Sequence, residues 1–188
     1  MNREQLMDSV RGQMPSRRWE HTLGVMESAV LLAERFGANP AKADLAAILH
    51  DVAKYWPVEK LEAMIVEIPV PEHFRPETIL AYDRQLLHAP IGAYIAEIEY
   101  GITDIEVLDA IRYHTSGREN MTLLDKIVCL ADYIEPGRDF PGVHGIREMA
   151  DNNLDQALVA GFDSTIEYLI AKKKKVFPLT ILARNQLI

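Results

Sequence analysis

The sequence predicts an all-α fold, a single compact helical bundle, and three observations carry that expectation. Apolar residues recur at three- and four-residue steps through most of the 188 residues. No run alternates with period two, and prolines and glycines fall where the periodic stretches stop. The length suits one domain with a sizeable core, and no repeat, low-complexity tract or shift in composition marks a boundary within 1–188.

A first helix is expected over 2–13. Pro15-Ser16 opens a second through Phe36, with Trp19, Leu23, Met26, Val30 and Ala33 as its apolar stripe, and Gly37 and Asn39-Pro40 close it. A third runs from Pro40 to Tyr55 on the stripe Leu45, Ile48, Leu49 and Val52. Pro57 ends it and opens a fourth over 58–67. Three prolines within 68–76 demand a loop, followed by a helical segment over 76–86. Pro90 suits the first turn of a helix over 90–100, which Gly101 ends, because its missing N–H has no partner to lose there. Helices over 104–114 and 121–135 flank the turn Thr115-Ser116-Gly117. A loop with two prolines and two glycines follows at 136–142, and a long helix over 144–174 finishes in Lys172 to Lys175. Those lysines read as a basic helix end complementing the macrodipole. The motif-bearing core covers about 15–145, with a helical C-terminal part over about 144–188.

Bulk composition narrows the partners. Hydrophobic residues make up 48% and charged ones 26%, an ordinary globular balance, and the formal charge of −8 argues against non-specific nucleic-acid binding. The one cysteine, Cys129, rules out an intramolecular disulfide, and its apolar neighbours make it a small buried hydrophobe. The N-terminal stretch lacks an apolar core and a cleavage site, and no run approaches about 18 apolar residues. The expectation is a cytoplasmic protein with no membrane contact.

The chemistry lies in His21, the adjacent pair His50-Asp51, His88, His114 and Asp132, enough ligands for two metal ions. An adjacent His-Asp sets an imidazole beside a carboxylate that can bridge two cations, a means of making hydroxide near neutral pH for phosphoester or phosphoanhydride hydrolysis. On a continuing helix Asp51 lies about 100° round from His50, and Lys54 returns to about 40°, free to reach a phosphate oxygen. A solvated face with an Asp51–Lys54 ion pair would give the same spacing. His114, in step with Val107 and Ile111, reads alone as a core histidine. Asp132, in a strongly apolar helix, needs a cation, since a buried unpaired carboxylate is costly. His21 stands four residues before Val25, and His88 just ahead of Pro90. His73 and His144 read as surface residues.

The order of these six residues, with Leu49-His50-Asp51-Val52-Ala53-Lys54, resembles the HD-domain phosphohydrolases in their dinuclear form. More narrowly, 18–22 (RWEHT), 113–117 (YHTSG) and 130–138 (LADYIEPGR) are similar to the YqeK-type bacterial symmetrical diadenosine tetraphosphate hydrolases. The resemblance covers about 15–145 without a departure at the metal positions. It implies an HD-type all-α fold and cleavage of a dinucleoside tetraphosphate into two nucleoside diphosphates. It implies a di-iron-type centre with His21, His50, Asp51 and Asp132 on one ion, His88 and His114 on the other, and Asp51 shared. Mixed ligation suits iron or manganese, with zinc an alternative.

Asp51 and Lys54 are accordingly the expected catalytic residues, with a metal-bridging hydroxide as attacking group and Lys54 stabilising developing charge. Arg18 and Arg138 are expected on phosphate, Arg17 less so. Thr115 and Ser116 offer hydroxyls, and Tyr133, Phe140 or Trp56 a surface for a base. Competing readings keep the site with a nucleoside monophosphate or guanosine alarmone as substrate, turn it to oxygen activation, or reduce it to a metal-stabilised nucleotide-binding module. No His-Asp-Gly-Tyr-Pro extension supports a cyclic dinucleotide phosphodiesterase. A small-molecule nucleotide is the expected partner, and an exposed helix face would allow a homodimer.

Overall fold

The structure, a computed structural model, describes residues 1–188 and contains helices without strands. In chain order these are α1 (Arg3–Arg11), α2 (Ser16–Phe36), α3 (Pro40–Leu49), α4 (Val58–Glu67), α5 (Pro76–Ile79), α6 (His88–Ile98), α7 (Ile105–Tyr113), α8 (Leu123–Ile134), α9 (Val143–Ala150), α10 (Leu154–Ala171) and α11 (Pro178–Gln186). Short 3-10 turns cover Glu72–Phe74 and Arg84–Leu87.

Helix starts follow from side-chain caps. Asn2 and Gln5 form a capping box on α1, Thr122 and Asp125 another on α8, and Asn39, Asp104 and Asn153 each accept from an amide in the first turn of the helix they precede. Gly37, at φ 80, closes α2 in the left-handed conformation.

α2, α3, α7 and α8 pack on one another at the centre. α6 covers α7, α9 and α10 cover α8, and α11 lies on α10. One continuous cluster of buried apolar side chains runs from Leu6 to Ala183 through all of these layers. Cys129 is fully buried in it, and burial pushes its thiol up. No helix is long and apolar enough to cross a membrane.

Four expectations need correction. α3 ends at Leu49 rather than Tyr55, and residues 51–55 form tightened turns in which Val52 donates to Leu49 and Lys54 to Asp51. The long helix over 144–174 is two, because Asn153 turns its side chain onto the amide of Gln156 and starts α10 afresh. The segment 76–86 is one helical turn and then a 3-10 turn, and Pro178 opens a further helix, α11. In α2 the buried ridge is Trp19, Thr22, Val25, Met26, Ala29, Leu32 and Ala33, and Leu23 is 40% exposed.

A candidate dinuclear metal centre

Three of the four central histidines stand at helix ends and are held by one device. His50 caps α3, His114 caps α7, and His88 joins the 84–87 turn to α6. In each, Nδ1 meets the carbonyl three residues back: Ala47 at 2.6 Å, Ile111 at 2.7 Å, and Gln85 in a very short contact. A carbonyl can only accept, so Nδ1 carries the proton and Nε2 the lone pair. The imidazole also takes the carbonyl that the next turn's amide would use, and α3 stops there. His21 lies within α2, and its Nδ1 faces Glu135 Oε1 at 2.9 Å. All four Nε2 atoms therefore point inward.

They surround Asp51, whose side chain has no exposure. His88 Nε2 is 3.1 Å and His114 Nε2 3.8 Å from Oδ1, while His50 Nε2 is 3.2 Å and His21 Nε2 3.9 Å from Oδ2. Asp132 Oδ1 is 3.0 Å from His21 Nε2. His88 and His114 bring two lone pairs to 3.1 Å of each other. Nε2 of His21 and His50 and both oxygens of Asp51 are buried without a hydrogen bond, and the one cation against them is the Arg18 guanidinium at Asp51 Oδ2. Acceptors crowded together out of water repel and are costly to bury unless a cation lies among them. Two ligands about 2.1 Å from one ion stand about 3 Å apart, close to the spacing of the His50–Asp51, His88–Asp51, His21–Asp132 and His88–His114 pairs. His21, His50 and Asp132 form one compact ligand group, and His50, Asp51 and His114 another. The donor set fits a pair of divalent ions.

Protonation points the same way. Burial, reinforced by the charges of His50 and His88, holds His114 well below the ordinary imidazole value, and burial with the Lys54 charge lowers His88. Burial alone would raise Asp51, but His50 and His88 overcome it and hold the carboxyl well below its usual range. Burial likewise opposes the Asp132 carboxylate, and the Arg138 charge with the His21 imidazole beside it hold it down. His50 is disfavoured as a cation by burial yet raised by Asp51, so a proton and a metal ion compete for its lone pair.

The cations stand at the rim. Arg18 lies against Asp51 Oδ2, and Arg138 grips Asp132, donating from Nε to its carbonyl at 2.7 Å and from Nη2 to its carboxylate. Lys54 Nζ is 3.4 and 3.5 Å from the two ring nitrogens of His88, so it lies across the ring rather than in line with the Nε2 lone pair. Burial lowers its pKa, with Asp51 and Asp132 pulling it partly back. Thr115 Oγ1 is 3.1 Å from His114 Nε2.

The other expected substrate contacts differ in what the fold leaves free. Ser116 is buried and donates to the carbonyl of Gly117, so the turn consumes its hydroxyl. Tyr133 lines the same cavity as His114, Asp132 and Arg138, with its hydroxyl 2.7 Å from Thr165 Oγ1, its ring against Gly161, and its phenol raised by burial. Trp56 packs under the Lys60 ammonium. His73 and His144 are exposed. Lys174 pairs with Asp83, and Lys175 donates to Ala81, so part of the terminal lysine run ties the chain beyond α10 to the 80–83 loop.

Two residues not expected from the sequence organise the centre. Glu135 is buried, orients His21, and accepts from the amide of Gly137 at 2.6 Å. Arg147, on α9, donates to the carbonyls of Ile134, Glu135 and Arg138 and fixes the loop that carries Glu135 and Arg138. Glu135 sits in the quoted 130–138 stretch, but a carboxylate at a helix end looks like an ordinary solvated terminus.

The HD domain profile matches residues 18–137, a span that includes all six candidate ligands. The symmetrical bis(5'-nucleosyl)-tetraphosphatase of Bacillus subtilis (strain 168) is 47% identical over 188 residues, covering 100% of this chain and 98% of that one. The protein of the same name from Halalkalibacterium halodurans is 44% identical over 188 residues, with the same coverage. Among solved structures, one described as a predicted HD superfamily hydrolase involved in NAD metabolism, from Clostridium acetobutylicum, superposes with a TM-score of 0.90. It is 38% identical, and the match covers 100% of this chain and 97% of that one.

Proposed function

The chain belongs to the HD domain family, and from that premise we propose that it is a metal-dependent hydrolase that cleaves dinucleoside tetraphosphates symmetrically into two nucleoside diphosphates. The observation that carries the reading is Asp51, one buried carboxylate whose two oxygens face different histidines. His21, His50, Asp51 and Asp132 would hold one divalent ion, and His88, His114 and the shared Asp51 the other, with iron favoured and manganese or zinc as alternatives. Bound there, the ions would supply Lewis acidity and a water acid enough to react near neutral pH.

The chain's own groups do the rest. The polyphosphate carries about four negative charges, and Arg18, Arg138 and Lys54 answer them from the rim. Lys54, half-buried across the His88 ring, contributes a charge at a phosphoryl oxygen. Thr115 offers a hydroxyl beside His114. Glu135 holds His21 in the tautomer whose lone pair faces the centre.

Product analysis decides the reading. Diadenosine tetraphosphate should yield two ADP, and ATP plus AMP would reject symmetrical cleavage. Faster turnover of a nucleoside monophosphate or guanosine alarmone would keep the centre and replace the substrate.

A further inference from the structure

The centre opens into two cavities of nearly equal volume, about 660 Å³ and about 670 Å³, and Arg138 is the one side chain lining both. His21 faces the first, and His114 and Asp132 the second, so both cavities reach the ligand cluster. Each also carries a tyrosine that the fold leaves out of its core: Tyr55, 52% exposed, in the first, and Tyr168, 57% exposed, in the second.

We propose that each cavity takes one nucleoside half of a dinucleoside polyphosphate, with the phosphate chain crossing at Arg138 and a base stacking on Tyr55 on one side and Tyr168 on the other. This rests on the substrate class given above. A molecule with two identical halves, cut at its midpoint, needs two compartments of similar size with the reacting groups between them. Both volumes lie within the range of small-ligand sites. A phenol ring offers a face to any base, and a stacked aromatic tolerates partial exposure. The compartments differ in how they hold their halves. The first sets Tyr55 among Arg17 and Arg18, so cation contacts to phosphate dominate there. The second sets Tyr168 beside Phe140, so stacking dominates there.

The test is equilibrium dialysis of ADP against the metal-loaded protein, with Tyr55→Ala and Tyr168→Ala as variants. More than half of each residue is exposed, so circular dichroism should show both variants folded. Two ADP per chain are expected. Each variant should weaken one of the two sites about tenfold or more, leave the other intact, and raise KM for diadenosine tetraphosphate more than it lowers kcat. One ADP per chain at saturation, or equal weakening of both sites by either variant, overturns the proposal. Should two ADP bind while diadenosine tetraphosphate is not cleaved, the substrate assignment fails and the paired compartments stand. Cleavage to two ADP with one ADP bound per chain does the reverse.

Discussion

Nδ1 of His21 lies 2.9 Å from Oε1 of Glu135, a buried carboxylate that arrives from more than one hundred residues further along the chain. That contact joins α2 to the end of α8 and decides which nitrogen of His21 faces the centre. In Glu135→Gln the side-chain oxygen still accepts from His21, but the charge is gone and the amide NH2 meets the Gly137 amide. Metal affinity should fall about 10- to 100-fold. A competition titration against a chelator checks this, and unchanged affinity would refute the orienting role.

Gly24 is the space Glu135 occupies. A Cβ there would stand 2.5 Å from Glu135 Oε2 and 3.3 Å from Pro136 Cδ. Replacing a helical glycine with alanine normally stabilises by about 0.5–1 kcal/mol. Gly24→Ala should instead weaken metal binding, and the loss should shrink when Glu135→Gln is already present, because both act on the same contact.

Asp51→Ala removes the only ligand that faces both histidine pairs. Turnover should fall to background and metal stoichiometry should drop. Helicity should be retained, since Asp51 lies in the turns beyond α3 and the helices keep their own caps. Normal turnover would rule out the shared-ligand role.

The metal-free protein should lose stability as pH falls below about 6.5, the ordinary imidazole value. Burial lowers His88 and His114, so between that value and their own folded values the unfolded chain binds protons that the folded chain refuses. His50, raised by Asp51 against burial, adds stability once protonated, and its contribution changes only above about 6.5. The carboxyls of Asp51 and Asp132, held low, add a further loss only in stronger acid. Thermal melting between pH 7.5 and 5 should show the decline, and His114→Gln should flatten it.

Gly117 has φ +66, and a Cβ on it would stand 2.6 Å from the Phe162 ring and 2.8 Å from Ala183. Gly117→Ala should cost about 2–4 kcal/mol from left-handed backbone and overpacking together. Urea denaturation measures it, and a cost below about 1 kcal/mol would mean the 115–117 turn relaxes easily.

The sequence exposed the six candidate ligands because their residue types are rare inside apolar helices, and because His50 and Asp51 adjoin. It exposed the helices wherever caps and prolines agree with periodicity, as at Asn39-Pro40 and Thr122. It hid the early end of α3, since the cause is an imidazole taking a main-chain carbonyl, which leaves no mark in hydrophobic periodicity. Ser116 looked available and is buried, because the fold around Gly117 is set by Phe162 and α11, far along the chain. Glu135, Tyr55 and Tyr168 gain meaning only from what other helices bring beside them.

The carbonyls of Ala47, Gln85 and Ile111 have a kinetic consequence. They lock three rings in rotation before any ion arrives, so loading requires little rearrangement beyond shedding water and displacing a proton. Metal uptake by this centre should therefore be fast and calorimetrically simple, a rigid socket rather than one that folds around its guest.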